Sequence, residues 1–150
     1  MARMASPGPD DCNCLAVRQA ARHITQFYDQ FLASSGLRTT QFSILAKLRQ
    51  LGPITINRLA AEMVMDRTTL GRNILPLERD GLIAVEQGSS DRRSKELQVT
   101  EAGEVRFRAG MKGWAQAQRQ FEKAFGPKRT DDMRTLLHAV AATDLGSTAV

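Results

Sequence analysis

Cys12 and Cys14 stand one residue apart in CNCLAVRQAARHITQFYD, where an amphipathic stretch begins, and they are the only cysteines in the chain. A thiol is a nucleophile, a soft metal ligand and an oxidisable group. Three readings follow: a redox switch, half of a metal site, or small apolar residues without a chemical role. His23 and His138 are the other soft ligands, and nothing in the sequence draws them toward the cysteines. Two thiols complete a four-thiolate zinc site only if two chains converge, so no metal site is expected. No nucleophile–base pair and no Gly-rich phosphate loop is visible. The chain therefore does not read as an enzyme, and no cofactor is expected.

A second group of side chains has another chemistry. Arg67, Thr68, Thr69, Arg72 and Asn73 crowd DRTTLGRN, while Arg92, Arg93 and Lys95 crowd DRRSK, with Arg58 further upstream. Guanidinium, ammonium, hydroxyl and amide donors match phosphate oxygens and the base edges of duplex DNA. The net charge of +5, from 21 basic and 16 acidic residues, leans toward a polyanionic partner.

Both groups need elements to position them. Apolar residues at Val17, Ala20, Ile24, Phe27 and Phe31 predict a first helix over 15–34, capped by Asn13 and ended at Gly36. Phe42, Leu45, Leu48 and Leu51 mark a second helix, stopped by Gly52-Pro53. Thr55 is placed to cap a short third helix, and Asp66 a fourth. On the fourth, Leu70, Ile74 and Leu77 fall on one side, with Thr68, Arg72 and Arg79 on the other. Pro76 removes the bond to the Arg72 carbonyl and predicts a kink beyond the outward-facing first turns. Two alternating runs, from Leu82 and from Glu96, flank a polar turn and predict a two-stranded hairpin with a basic tip. Thr100 caps a long fifth helix whose Phe107, Met111, Trp114, Phe121 and Phe125 form a near-heptad stripe, and Thr130 opens a last helix.

The fold class is mainly α with a small β-hairpin wing: a winged helix-turn-helix over about 37–100. Residues 12–35 and 101–146 are its dimerisation helices, and 1–11 a flexible arm. One domain fits 150 residues, and 42% hydrophobic with 25% charged residues fits a soluble protein. No apolar run spans a bilayer, so no membrane partner and a cytoplasmic location are expected. The final two helices expose more apolar surface than one domain covers, which a homodimer resolves.

The sequence resembles the MarR family of bacterial regulators across nearly its whole length. TINRLAAEMVMDRTTLGRNILPLERDGLI is similar to the family's helix-turn-helix, and DRRSKELQVTEAG to its wing. The resemblance implies a homodimer with interleaved terminal helices, a repressor reading a near-palindromic double-stranded DNA operator and released by a ligand or oxidant. It implies that Arg93 enters the minor groove, with Asp91 orienting the guanidinium by a bidentate ion pair. A small-molecule inducer would sit between the dimer helices and the DNA-binding lobe, near Arg22, His23, Phe27, Phe31, Phe42, Phe107 and Met111; core packing is the alternative for these side chains. Cys14, Arg22, Thr25 and Tyr28 are also similar in spacing to a hydroperoxide-sensing subgroup. That subgroup holds its thiolate with two tyrosines, where this chain has Thr39 and Phe42. The resemblance leaves Cys14 as the sensing thiol of a redox regulator and Cys12 as its resolving partner. A winged-helix protein–protein adaptor is the alternative from another class.

Overall fold

The computed structural model describes residues 6–88 and 90–146. Residues 1–5 of the expected arm lie outside them, and Pro9–Asp11 within it forms one exposed 3-10 turn. The elements run α1 (Asn13–Leu32), a 3-10 turn at Ala33–Ser35, α2 (Thr39–Leu51), β1 (Ile54–Thr55), α3 (Ile56–Met63) and α4 (Arg67–Arg79). Then follow β2 (Ile83–Gln87), β3 (Lys95–Val99), α5 (Glu101–Phe125) and α6 (Pro127–Ala142). No helix among the described residues is long and apolar enough to cross a membrane.

The expected hairpin is β2 and β3, paired antiparallel from Ile83↔Val99 to Gln87↔Lys95. The sheet has a third strand that the pattern did not reveal: β1 pairs with the other edge of β3, Ile54 opposite Leu97. Two residues are too few to show a period of two, so β1 is defined by its partner alone. Leu97 is thereby central and buried, which roots the wing in the core.

Helix starts follow local hydrogen bonding. The Thr55 hydroxyl accepts from the Arg58 N–H at 3.2 Å, and that of Thr100 from the Gly103 N–H at 3.0 Å, both as expected. Two starts differ. Cys12, not Asn13, caps α1, its Sγ accepting from the Leu15 N–H at 3.4 Å. The last helix begins at Pro127 rather than at Thr130, since proline's fixed φ and missing N–H suit the first helical position. Thr130 lies inside that helix and is buried. A cap supplied from another element ties α1 to α2: Asp29 Oδ1 accepts from both the N–H and the hydroxyl of Thr39 at 2.7 Å.

The core of the helix-turn-helix is built from Leu45, Leu48, Leu59, Leu70 and Leu77, each no more than 1% exposed. Burying each leucine contributes roughly 1.5–3 kcal/mol. Because Leu70, Ile74 and Leu77 all point inward, the opposite side of α4 is left to solvent. The helix continues through Pro76 to Arg79. Gly81 takes φ 73° and lets the Leu82 N–H bond back to the Leu77 carbonyl at 2.8 Å. The α3–α4 turn holds Val64 at φ 52°, a left-handed conformation for a β-branched residue that is 72% exposed.

The long helix α5 joins this lobe to α1. At Gly113 a Cβ would stand 2.0 Å from the Phe31 carbonyl oxygen, a separation backbone atoms cannot accept. Phe42 stacks on Phe107 with ring centroids 4.7 Å apart, and the Arg49 guanidinium covers the Phe107 ring at 4.2 Å. Arg49 is held there by Glu104, at 2.8 Å. Gly113→Ala is expected to force α1 from α5 at a cost of about 2 kcal/mol or more, lowering Tm by roughly 4–8 °C. An unchanged melting temperature would contradict this close approach.

Candidate nucleic-acid interface

The start of α4 is fixed by one carboxylate. Asp66 Oδ1 accepts from the Thr69 N–H at 2.8 Å, and its Oδ2 from the Thr69 hydroxyl at 2.6 Å. These bonds, the Thr69 hydroxyl's first among them, hold the Asp66 pKa below the ordinary carboxylate value. The cap aims the first turn of α4 outward, with Arg67, Thr68 and Arg72 exposed. Two other candidate readers are engaged within the helix. The Thr69 hydroxyl proton goes to Asp66, and the Asn73 amide donates to the Thr69 carbonyl at 2.9 Å. Arg58 stands exposed on α3. Within 66–80 three basic residues meet three acidic ones, two of which, Asp66 and Asp80, are the residues capping α4, so the helix with its caps carries no net charge.

The cations gather on the wing. Arg92, Arg93 and Lys95 are exposed on and beside a turn closed by the Gly88 N–H to the Ser94 carbonyl, 2.8 Å, and the Ser94 N–H to the Asp91 carbonyl, 3.1 Å. Gln87 donates to the Arg92 carbonyl at 2.8 Å, which fastens the turn to β2. The expected Asp91–Arg93 guanidinium pair is absent among the described residues. Asp91 Oδ1 instead accepts from the Arg93 backbone N–H at 2.9 Å. With only Arg92 between them, the carboxylate meets the main chain before it can reach the side chain, so Asp91 shapes the turn, and among the described residues the Arg93 guanidinium has no ion-pair partner.

The expected small-molecule residues do not converge. Phe42, Phe107 and Met111 line a cleft of about 680 Å³ together with Trp114, Lys47 and His138. His23 and Phe27 line a separate groove of about 430 Å³ with Phe121 and Phe125. Phe31 packs edge-on against Phe27, and Arg22 is exposed and lines neither space. The two groups meet α5 at different heights: His23 and Phe27 beside Phe121 and Phe125 near its end, Phe42 beside Phe107 and Gly110 in its first half. The cation in the larger cleft is Lys47, 4.0 Å from Glu62; a lone lysine on the outer side of α2 gave no signal in the sequence.

The thiols are exposed at the start of α1. Tyr28, about 21 Å along the same helix at 1.5 Å per residue, cannot reach Cys14 within one chain. Its hydroxyl donates to Gln118, and burial, reinforced by Glu122, raises its pKa. Thr39 and Phe42 lie at that far end too, bound to Asp29 and stacked on Phe107. Among the described residues no three His, Cys, Asp or Glu side chains group as a metal site.

An exposed polar helix on a buried tri-helical core, flanked by a cationic hairpin, defines a winged helix-turn-helix protein. Residues 37–95 match the family model described as MarR family. The chain is 36% identical to the M. tuberculosis transcriptional regulator MosR, solved in complex with DNA, over 87% of this chain and 97% of that one, with a TM-score of 0.75. It is 31% identical over 91 residues to the uncharacterized HTH-type transcriptional regulator YwoH of Bacillus subtilis (strain 168). That match spans 61% of this chain and 66% of YwoH, just under two thirds of the relative's length. A MarR family transcriptional regulator from Rhodococcus sp. RHA1, 20% identical, shares the fold over 91% of this chain and 99% of that one, with a TM-score of 0.76. The chain belongs to the MarR family, a family of transcriptional regulators and not of enzymes.

The Asp66 cap is testable by pH. With its folded pKa depressed, its contribution to stability is complete above the unfolded carboxylate value and is lost as pH falls through the folded one. Asp66→Ala is expected to lower Tm at pH 7, with the gap to wild type closing toward pH 2. A gap of constant size over that range would contradict it.

Proposed function

We propose that the chain is a sequence-specific DNA-binding transcriptional regulator: a cytoplasmic homodimeric repressor that reads a near-palindromic operator and is released by a small-molecule ligand. The observation that carries the DNA reading is the outward stripe of α4, capped at Asp66 and backed by buried leucines, beside a wing whose arginines are exposed. Thr68 and Arg72, with Thr69 and Asn73 beside them, enter the major groove. Arg67 and Arg58 meet phosphates at its edge. Arg93 enters the adjacent minor groove, Arg92 and Lys95 flank it on the backbone, and Asp91 holds the turn.

The dimer is supported by apolar surface that one chain leaves in water. Val17 on α1 is 47% exposed, and Leu136, Leu137 and Val140 on α6 are 67%, 41% and 54% exposed. Pairing these helices about a two-fold axis sets two copies of α4 roughly 34 Å apart, one turn of DNA. The 680 Å³ cleft suits a small aromatic ligand: rings of Phe42, Phe107 and Trp114 as walls, with Lys47, Glu62 and His138 as polar contacts. An occupant there presses on the Phe42–Phe107 stack and so on the lobe carrying α4.

Arg72→Ala and Arg93→Ala are each expected to weaken binding to a selected duplex about tenfold or more, read by fluorescence anisotropy. Wild-type affinity should fall steeply with salt, and the mass in solution should be twice 16.6 kDa. Salt-independent binding, indifference to both substitutions, or a single-chain mass would contradict the proposal; an adaptor would show the first two.

A second reading has one observation in its favour. Cys12 and Cys14 are exposed, free thiols at the start of the 20-residue α1, open to an oxidant in solution. A hydroperoxide would oxidise the Cys14 thiol to a sulfenic acid, its O–O bond breaking and the remainder leaving as the alcohol. A second thiol then forms a disulfide with loss of water. A bond between Cys12 and Cys14 closes a strained ring over one intervening residue, so a thiol of the second chain is the easier partner. Hydroperoxide is expected to lower operator affinity of wild type and not of Cys14→Ser. Unchanged wild-type affinity would dispose of the redox reading.

A further inference from the structure

The outer stripe of α4 holds one residue that phosphate chemistry does not explain. Thr68, Arg72, Leu75 and Arg79 follow at intervals of four, three and four and so share one side of the helix. Leu75 is 64% exposed there, between two arginines, while the core side is already filled by Leu70, Ile74 and Leu77. A lone exposed leucine needs no explanation elsewhere on a surface. In the middle of the stripe that faces the groove it does, because a lysine or arginine there would add affinity and leucine adds none through charge.

We propose that Leu75 is a specificity residue that packs on the C5-methyl of a thymine in the major groove of each half-site. The inference rests on α4 being the groove-reading helix. The thymine methyl is the apolar group that base pairs display on the major-groove edge, so it is the natural partner of an apolar side chain on that stripe. From Thr68 to Leu75 the helix advances about 10 Å, close to three base-pair steps of about 3.4 Å. Leu75 therefore falls within the span a helix reads, one or two steps from the base facing Arg72. Arg72 offers a fork that suits guanine O6 and N7. The half-site then carries a guanine and, one or two steps further along, a thymine. Pro76 follows immediately, and the helix runs unbroken through Leu75 from its Asp66 cap, so the side chain is held on the stripe rather than carried off it.

The test uses deoxyuridine, which differs from thymidine only by the methyl. A duplex is selected from a random pool by the wild-type protein, and each symmetric thymine pair is replaced in turn. Wild type and Leu75→Ala, which removes an exposed side chain and should keep the wild-type Tm, are compared by anisotropy. At one pair, loss of the methyls is expected to weaken wild type about fourfold per half-site, about fifteenfold in all, and Leu75→Ala less than twofold. Equal responses of the two proteins at every thymine would overturn the proposal while leaving DNA binding intact. Failure of wild type to select any duplex would overturn the DNA reading itself, and this inference with it.

Discussion

The flat contact between Phe42 and Phe107 is the joint on which the rest of the molecule turns. It is the point where the DNA-binding lobe meets the long helix α5, with centroids 4.7 Å apart and planes within 11° of parallel. Gly110 makes room for it, since a Cβ there would stand 3.0 Å from the Phe42 ring. Arg49 closes the far side of Phe107 and is itself fixed by Glu104 at the start of α5. From Phe42 the path to the interface is short: α2 buries Leu45 and Leu48 in the same core as Leu70 and Leu77 of α4. A rigid, close-packed core transmits displacement rather than absorbing it, so a shift of α5 against α2 becomes a shift of α4. The cleft beside the stack is bounded by the same two rings, so the proposed inducer is placed where it would touch this joint.

Stability and recognition are divided between faces and elements. The inner side of α4 supplies leucines to the core, and the outer side is free to vary without cost to the fold. The carboxylate at Asp66 does not contribute charge to a partner but sets the direction of the first turn. The wing supplies positive charge, and its turn is closed by hydrogen bonds that use the backbone of Arg92 and Arg93 and leave their side chains exposed. In the proposed complex a helix whose charge is balanced by its capping carboxylates would discriminate by shape and donor pattern, and the wing would provide long-range attraction.

Much of this was legible in the residues, because strong local signals dominate where they occur. The caps at Thr55, Asp66 and Thr100, the buried stripe of α4 and the β2–β3 hairpin each follow from a side chain and its near neighbours in sequence. The misses share a cause. β1 exists because β3 offers it an edge, Asp29 caps a helix ten residues away, and Lys47 enters a cleft that only the packing of α2 on α5 creates. Where two local signals competed, the nearer one won: Pro127 opened α6 ahead of Thr130, and the Asp91 carboxylate took the backbone of Arg93 before its guanidinium. His23 and Phe27 lie apart from Phe42 because sequence shows which residues share a helix face, but not at which height along α5 each helix packs.

Hydroxyl-radical footprinting of the protein on the DNA upstream of its own reading frame tests the account most directly, since it reads symmetry, spacing and groove at once. Two protected half-sites are expected, their centres about one helical turn apart, with flanking minor-groove protection where the wings reach. A single protected half-site, or uniform protection without a two-fold pattern, would contradict a paired winged helix-turn-helix.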